Sequence, residues 1–191
     1  NNNMPSGFLL VDKPVDWTSH DVVGYLRGVT KIKKIGHAGT LDPFATGLLI
    51  VAVQREATKR IDEFHTFTKT YIATIQLGAV SNTQDKTGTI TQTKNADSNI
   101  KNITKQQIEE TLKQFTGKQL QTPPMFSAKK VKGKKLYELA RKGIEIERMP
   151  NEIEIYNIQL LEYKNATLKI TCEVSTGTYI RTLAHDIGQA L

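Results

Sequence analysis

The sequence predicts an α+β protein, because segments with the two-residue period of strands alternate with segments of helical spacing. Residues 167–174 alternate apolar and polar side chains, which indicates a half-buried strand. Residues 180–187 place Ile180, Leu183 and Ile187 on one helical face. The chain shows no internal repeat and no Pro-rich linker, so we predict a single domain over residues 1–191.

The N-terminal half of the chain contains four segments of predicted structure. Phe8–Val11 is an apolar strand, and Ser19 is a candidate N-cap for a helix whose apolar face is Val22, Val23, Leu26 and Val29. The apolar run 48–53 predicts a buried strand. Residues 69–77 are rich in β-branched and aromatic side chains, which predicts a long strand.

The C-terminal half of the chain also combines predicted strands with predicted helices. Residues 81–103 are rich in Thr, Asn, Ser, Gly and Lys, which indicates a hairpin or a long surface excursion. Thr104 with Gln107 forms a capping-box pattern, which predicts a helix that ends before Gly117. Residues 175–177 form a turn before the last helix.

Composition limits the possible functions. The chain has 26 basic and 19 acidic residues, a net charge of +7 and a pI near 9.4. This charge favours a polyanionic partner such as nucleic acid, although an ordinary basic protein has the same balance. Residues 129–148 hold eight basic and three acidic side chains.

The single cysteine excludes an internal disulfide and a multi-thiolate metal site. No apolar run is long enough to span a membrane, so we expect a cytoplasmic protein.

A Gly-rich loop, residues 36–47, carries one acidic side chain, Asp42. Its three glycines permit backbone angles and close approaches that a Cβ would prevent. Pro43 favours an extended conformation at Asp42. A single carboxylate on such a loop, beside a buried strand, is a candidate catalytic group, and a simple Asp-Pro turn is the alternative.

This loop resembles the catalytic loop of the TruB family of pseudouridine synthases. Further blocks match the family in the same order, and together they extend from about Gly7 to the last residue. They are Leu10–Pro14 with Thr18–Val23, Lys69–Tyr71, Pro123–Ala128, Gly133–Glu138 with Ala140–Arg141, and Gly177–Leu183.

The resemblance implies a central mixed, mostly antiparallel sheet flanked by helices. It also implies isomerisation of uridine to pseudouridine at position 55 in the T-loop of tRNA, without a cofactor or a metal. In this family Asp42 would be the catalytic carboxylate and Arg181 its ion-pair partner. Tyr71 would stack on the extruded uracil, and Tyr179 would line the pocket. From the sequence alone, the favoured interpretations are that Arg181 points to solvent and that Tyr71 is a core residue.

The resemblance also assigns RNA contacts. His37 would touch the RNA stem where the target base leaves. The early loop would be mostly structural, and its Lys13 is a candidate substrate-binding residue. Lys59 is a further candidate cation. The basic segment would close on the T-arm through Lys130, Arg141 and Lys142. An exposed loop histidine and a solvated basic helix are the alternatives.

Two other functions remain open at this point. One is the guide-RNA-dependent branch of the same family. The sequence is more similar to the stand-alone bacterial branch at Asp85–Gly88 and at residues 75–78. The other is a non-catalytic tRNA-binding or folding module of the same fold. Family members normally continue beyond the last helix into a C-terminal PUA-type domain, so we expect a C-terminally incomplete catalytic domain. We expect a monomer with no obligate protein partner.

Overall fold

The computed structural model describes residues 4–127 and 129–191. The three N-terminal asparagines and Ala128, which ends one of the motif blocks quoted above, lie outside the described residues. The chain divides into two compact units, Asn1–Phe67 and Thr68–Leu191. Each unit has its own hydrophobic core.

The N-terminal unit contains a three-stranded antiparallel sheet with the spatial order β1-β3-β2. In chain order its elements are β1 (Gly7–Lys13), α1 (Ser19–Thr30), β2 (Ile35–Ala38), β3 (Gly47–Val53), α2 (Arg55–Thr58) and a 3₁₀ turn (Ile61–Thr66). Helix α1 supplies Val22 and Val23 to the core, where they pack with Ile35 and with alternate residues of β3. This sheet is the base on which the Asp42 loop, between β2 and β3, is built.

Helix α1 differs from its prediction at both ends. Thr18 is the N-cap rather than Ser19, and it forms a capping box with Asp21. The Thr18 hydrogen bonds lower the pKa of Asp21. Val29 was expected on the apolar face but is 63% exposed, because it lies on the last turn, where Thr30 ends the helix.

The C-terminal unit contains a four-stranded antiparallel sheet with the spatial order β4-β11-β10-β7. In chain order its elements are β4 (Lys69–Gln76), β5 (Ala79–Ser81), β6 (Ile90–Gln92), α3 (Ala96–Lys101), α4 (Lys105–Gln114), β7 (Gly117–Gln121), β8 (Lys130–Val131), β9 (Lys134–Lys135), α5 (Leu136–Arg141), β10 (Asn151–Lys164), β11 (Thr167–Val174) and α6 (Ile180–Ala190). The hairpin β5–β6 and α3 occupy the region predicted as a hairpin or a surface excursion.

Helices α4 and α6 pack on one face of this sheet. Ile108 and Leu112 from α4, with Leu183 and Ile187 from α6, meet the apolar side of β11. The predicted alternation of β11 is confirmed, since Leu168, Ile170, Cys172 and Val174 are all buried. Every strand pairing between the described residues is antiparallel, and the predicted α+β class is confirmed.

The capping box at Thr104 and Gln107 is also confirmed. In the described part of the chain, no helix has both the length and the apolar character to cross a bilayer.

Candidate active site

The Asp42 loop is held by backbone contacts on both sides of the carboxylate. Before Asp42, the Leu41 N–H donates to Ser19 Oγ at 3.0 Å. After it, the Pro43 carbonyl accepts from the Asp16 N–H at 2.7 Å and from Lys13 Nζ at 3.1 Å. Because both neighbours of Asp42 are fixed by residues of the β1–α1 region, the loop offers its half-buried carboxylate in a defined position.

The glycines of this loop serve the purposes that the sequence predicted. Gly39 and Gly47 have φ angles of +95° and +118°, which side-chain-bearing residues rarely adopt. A Cβ on Gly36 would lie 3.0 Å from the Cδ1 atom of Ile61. Gly39 and Gly47 are therefore favoured by their backbone angles, and a side chain at Gly36 would require the end of the Ile61 side chain to shift.

Lys13 is fully buried, and its ammonium group supports the loop. Nζ donates to the carbonyls of Pro14 at 2.8 Å, Trp17 at 2.6 Å and Pro43 at 3.1 Å. Burial lowers the pKa of Lys13, while the negative charges of Asp16, Asp42 and Asp21 act in the opposite direction. A lysine ammonium has three N–H donors, and these three carbonyls match that number. These contacts tie Lys13 to the Asp42 loop, and its predicted contact with the substrate stays a prediction.

His37 and Lys59 lie in the same unit. His37 is half-buried on β2, and its Nδ1 hydrogen-bonds the carbonyl of Gly39 within the Asp42 loop. Because a carbonyl oxygen only accepts, Nδ1 is the donor in this contact. Lys59 follows α2, has a 56% exposed side chain and pairs with Glu56 at 3.6 Å.

Arg181, in the first turn of α6, is buried rather than directed to solvent, since its side chain is only 10% exposed. Nη1 donates to the Thr83 carbonyl at 3.0 Å, and Nη2 donates to the Phe126 carbonyl at 2.7 Å. Asp85 forms an ion pair with Nη1 at 3.7 Å. A cation at a helix N-terminus opposes the helix dipole, and these acceptors offset that cost.

Asp85 is a candidate functional residue to which the sequence analysis assigned no role. Its Oδ1 accepts from Thr83 Oγ1 at 2.7 Å, from the Thr87 N–H at 2.8 Å and from Thr87 Oγ1 at 2.6 Å. Burial raises the pKa of Asp85, but the hydrogen bonds from Thr87 and Thr83 and the charge of Arg181 outweigh it, so the pKa lies below its ordinary value. The loop between β5 and β6 therefore brings a stable negative charge to Arg181.

The two tyrosines of the predicted site also lie in the C-terminal unit. Tyr71 is half-buried on β4 and packs against the core of that unit. Tyr179 is the N-cap residue of α6, without a side-chain cap hydrogen bond. Its backbone instead pairs with the side chain of Gln121, a second residue that sequence analysis did not single out.

The basic segment forms the small hairpin β8–β9 and helix α5. Lys130, Arg141 and Lys142 are exposed, whereas Leu136 and Leu139 are buried and anchor the helix. The Arg141 guanidinium carbon lies 5.2 Å from the centre of the Tyr137 ring, which is a cation–π distance.

The predicted site residues are thus divided between the two units. Asp42, His37, Lys13 and Lys59 lie in the first unit, and all the others lie in the second. Within the second unit, Arg181 is brought together with Asp85, and the pairing of Arg181 with Asp42 stays a prediction. Among the described residues, no group of three or more His, Cys, Asp or Glu side chains could hold a metal ion.

Solved structures share this fold. The chain matches a crystal structure of a Cbf5–Nop10–Gar1 complex with a TM-score of 0.72 and 28% identity, covering 97% of this chain and 44% of that one. It matches an archaeal box H/ACA Nop10–Cbf5 complex with a TM-score of 0.66 and 26% identity, covering 97% of this chain and 43% of that one. The architecture is the α+β fold of the pseudouridine synthases.

Curated relatives are more similar in sequence. Proteins named tRNA pseudouridine synthase B are 46% identical in Geobacter sulfurreducens and 49% identical in Bacteroides fragilis, over 97% and 96% of this chain. The chain spans 59% of the first relative and 79% of the second. The family model for the N-terminal domain of the TruB family pseudouridylate synthases matches residues 27–180. The chain belongs to this family.

Proposed function

We propose that this protein isomerises uridine to pseudouridine in tRNA, at position 55 of the T-loop. The observation that carries the proposal is the Asp42 loop, in which one half-buried carboxylate is fixed on both sides by backbone contacts. Membership of the TruB family and the similarity to proteins named tRNA pseudouridine synthase B support the same activity. The proposal includes action on the T-arm of tRNA in the cytoplasm, by a protein that we expect to be a monomer.

The reaction breaks the N1–C1′ bond of uridine, turns the base over and joins C5 to C1′. The C5 proton leaves and N1 gains a proton, so substrate and product contain the same atoms. Asp42 is the group that we place beside C1′. A fixed carboxylate suits this task, because a defined position lowers the cost of reaching the reacting geometry.

Arg181 and the two tyrosines complete the proposed site. A guanidinium carries five N–H donors, enough to hold Asp85 and also a second carboxylate, which in this proposal is Asp42. The buried contacts of Arg181 suit a charge that must stay in place during the reaction. Tyr71 would stack on the extruded uracil, and Tyr179 would line the pocket.

The RNA-binding part of the proposal rests on charge. An enzyme that acts on a stacked base must first extrude it, which costs a few kcal/mol. Contacts to the RNA backbone from Lys130, Arg141, Lys142 and the exposed Lys59 would offset this cost. His37, which lies on β2 and hydrogen-bonds the Asp42 loop, would contact the stem from which the base leaves.

Asp42→Asn tests the proposal, measured in protein carrying the whole natural chain. The rate of pseudouridine formation in a T-arm stem-loop should fall by about 10²–10⁴-fold or more, because the amide is a poor base and a poor nucleophile. The Kd for the stem-loop should change little. Asp62→Asn is the matched control, since that side chain is 96% exposed. It should retain the wild-type rate.

The same measurement separates the alternative of a non-catalytic tRNA-binding module. A module would bind the stem-loop and form no pseudouridine in the wild-type protein. Wild-type turnover that survives in Asp42→Asn would instead show an enzyme in which Asp42 is not the essential carboxylate.

A further inference from the structure

Gln121 makes a paired contact with the backbone of Tyr179, 58 residues away. The Tyr179 N–H donates to Oε1 at 2.8 Å, and Nε2 donates to the Tyr179 carbonyl at 3.0 Å. Gln121 is the last residue of β7 and is only 4% exposed. A buried carboxamide is stable when both of its ends are satisfied, and this geometry satisfies both.

The contact lies where α6 begins. The Tyr179 carbonyl also accepts from the Leu183 N–H at 3.1 Å, the first hydrogen bond of the helix. The side chain of Tyr179 itself makes no capping hydrogen bond to this helix. The carboxamide of Gln121 therefore fixes the residue from which the first turn, with Arg181, departs.

The segment that follows Gln121 holds the same turn at a second point. Five residues later, the Phe126 carbonyl accepts from Arg181 Nη2 at 2.7 Å. Pro123 and Pro124 lie between the two contacts and are buried, and their rings restrict the backbone. One short segment thus fixes both the backbone before Arg181 and one end of its guanidinium group.

We propose that Gln121 is a positioning residue for the isomerase reaction: its carboxamide sets the backbone at Tyr179 and thereby the direction of the Arg181 guanidinium, without contacting the uridine. The inference rests on the proposed function, because Arg181 is the group whose position matters there. A purely structural role for Gln121 would affect stability and leave the rate of the folded enzyme unchanged.

Gln121→Met tests the inference, because it keeps the length of the side chain and removes both hydrogen bonds. We expect the single-turnover rate of pseudouridine formation to fall about 10–10²-fold, the size of effect that small misplacements produce. The Kd for the stem-loop should stay within about twofold, since no RNA contact is lost. The rate is to be measured on protein shown to be folded by its melting transition.

Gln119→Met is the matched control. Gln119 lies two residues earlier on β7, so its side chain leaves the same face of the strand. Its Nε2 donates to the Phe115 carbonyl at 2.6 Å, so the variant also loses one hydrogen bond. It should lower the Tm without changing the rate.

Gln121→Glu gives a readout that a structural role does not predict. An ionised carboxylate accepts from the Tyr179 N–H but cannot donate to its carbonyl, whereas the protonated acid does both. Burial raises the pKa of such a carboxyl. The rate relative to wild type should therefore rise as the pH falls from about 8 to about 5.5, and the same ratio for Gln119→Glu should stay flat.

Three results decide the inference: the rate of Gln121→Met, the pH dependence of Gln121→Glu and the NMR signal of Arg181. A Gln121→Met rate within about twofold of wild type, or a flat pH ratio for Gln121→Glu, overturns it. Wild-type protein that forms no pseudouridine overturns the proposed function instead. The positioning itself is then tested by the side-chain NMR signal of Arg181, which should shift in Gln121→Met and not in Gln119→Met. An unshifted signal contradicts the inference.

Discussion

A buried lysine, Lys13, lies next to the candidate catalytic loop. A charged group without solvent is costly unless hydrogen bonds replace the lost water. Lys13 meets this condition with three backbone carbonyls, of Pro14, Trp17 and Pro43. The carbonyls come from both sides of α1, so one side chain ties β1 to the Asp42 loop.

Lys13→Met should weaken both stability and activity. It removes the Lys13 donor from the carbonyls of Pro14 and Trp17, while the Pro43 carbonyl keeps the Asp16 N–H. An unsatisfied buried polar group costs about 1–3 kcal/mol. We expect the free energy of unfolding, measured by urea denaturation, to fall by about 1–3 kcal/mol. The pseudouridylation rate should fall while the Kd for RNA stays similar, because the loop shifts but no phosphate contact is lost.

The exposed Lys33→Met is the control for Lys13→Met, with a change in the free energy of unfolding within about 0.5 kcal/mol. Equal effects of the two variants would contradict the role of Lys13 in holding the Asp42 loop. An increase in the Kd alone, with an unchanged rate, would instead indicate that Lys13 contacts the substrate.

At the scale of elements, the loop between β5 and β6 acts as a support for α6. Its carboxylate, Asp85, is fixed by Thr83 and Thr87 and faces Arg181. Thr182, the next residue of α6, donates through Oγ1 to Gln84 Oε1 at 2.7 Å. Two neighbouring residues of the loop therefore hold two neighbouring residues of the helix.

Asp85→Asn should destabilise the C-terminal unit in a pH-dependent way. The pKa of Asp85 is lowered in the folded state, so its ionised form adds stability above the unfolded pKa of about 3.9. That contribution is lost as the pH falls through the still lower folded pKa. We expect a loss of about 1–3 kcal/mol in the free energy of unfolding at pH 7, and a smaller difference from wild type below about pH 4.

Asp97→Asn, on the exposed side of α3, is the control for that measurement, and it should show no such dependence. A difference between Asp85→Asn and wild type that stays constant from pH 7 to pH 3 would contradict the paired, ionised state of Asp85.

The elements show which parts of the molecule local sequence can predict. Strand β11 and the capped start of α4 follow from periods and caps within a few residues, and both are confirmed. The exposure of Val29 depends on where α1 ends, which its apolar period does not reveal. The Gly-Pro pattern around Asp42 predicted an unusual loop, and the φ angles of Gly39 and Gly47 bear this out.

The supports of the candidate site were not predictable in the same way. Thr83 and Arg181 are 98 residues apart, and Gln121 and Tyr179 are 58 apart, so their contacts exist only once the strands have paired. Thr83 and Gln121 are ordinary polar residues in the sequence, and Asp85 lies in a block that indicated the branch of the family but no contact with Arg181. The family resemblance located Arg181, but its partners needed the tertiary structure.

At the scale of the whole molecule, the net charge of +7 is concentrated unevenly. We define the basic surface as Lys130, Arg141 and Lys142, which are exposed on β8 and at the end of α5. Leu136 and Leu139 are buried, so α5 presents the charges of Arg141 and Lys142 from a helix whose apolar side is fixed. Charges held in this way can bind phosphates without first ordering a long chain.

Replacing the basic surface by glutamine should weaken binding of tRNA and flatten its dependence on salt. Each phosphate contact contributes about 0.7–0.9 to the slope of log K against log salt, so three lost contacts should reduce the slope by about 2–3. The effect should be similar for stem-loops of different loop sequence, because phosphates carry no base identity.

The control removes the same charge from three exposed lysines of α3 and α4: Lys101, Lys105 and Lys113. If both triple variants reduce the slope equally, the effect comes from net charge in general. If the variant of Lys130, Arg141 and Lys142 leaves the slope unchanged, the basic surface is only solvated.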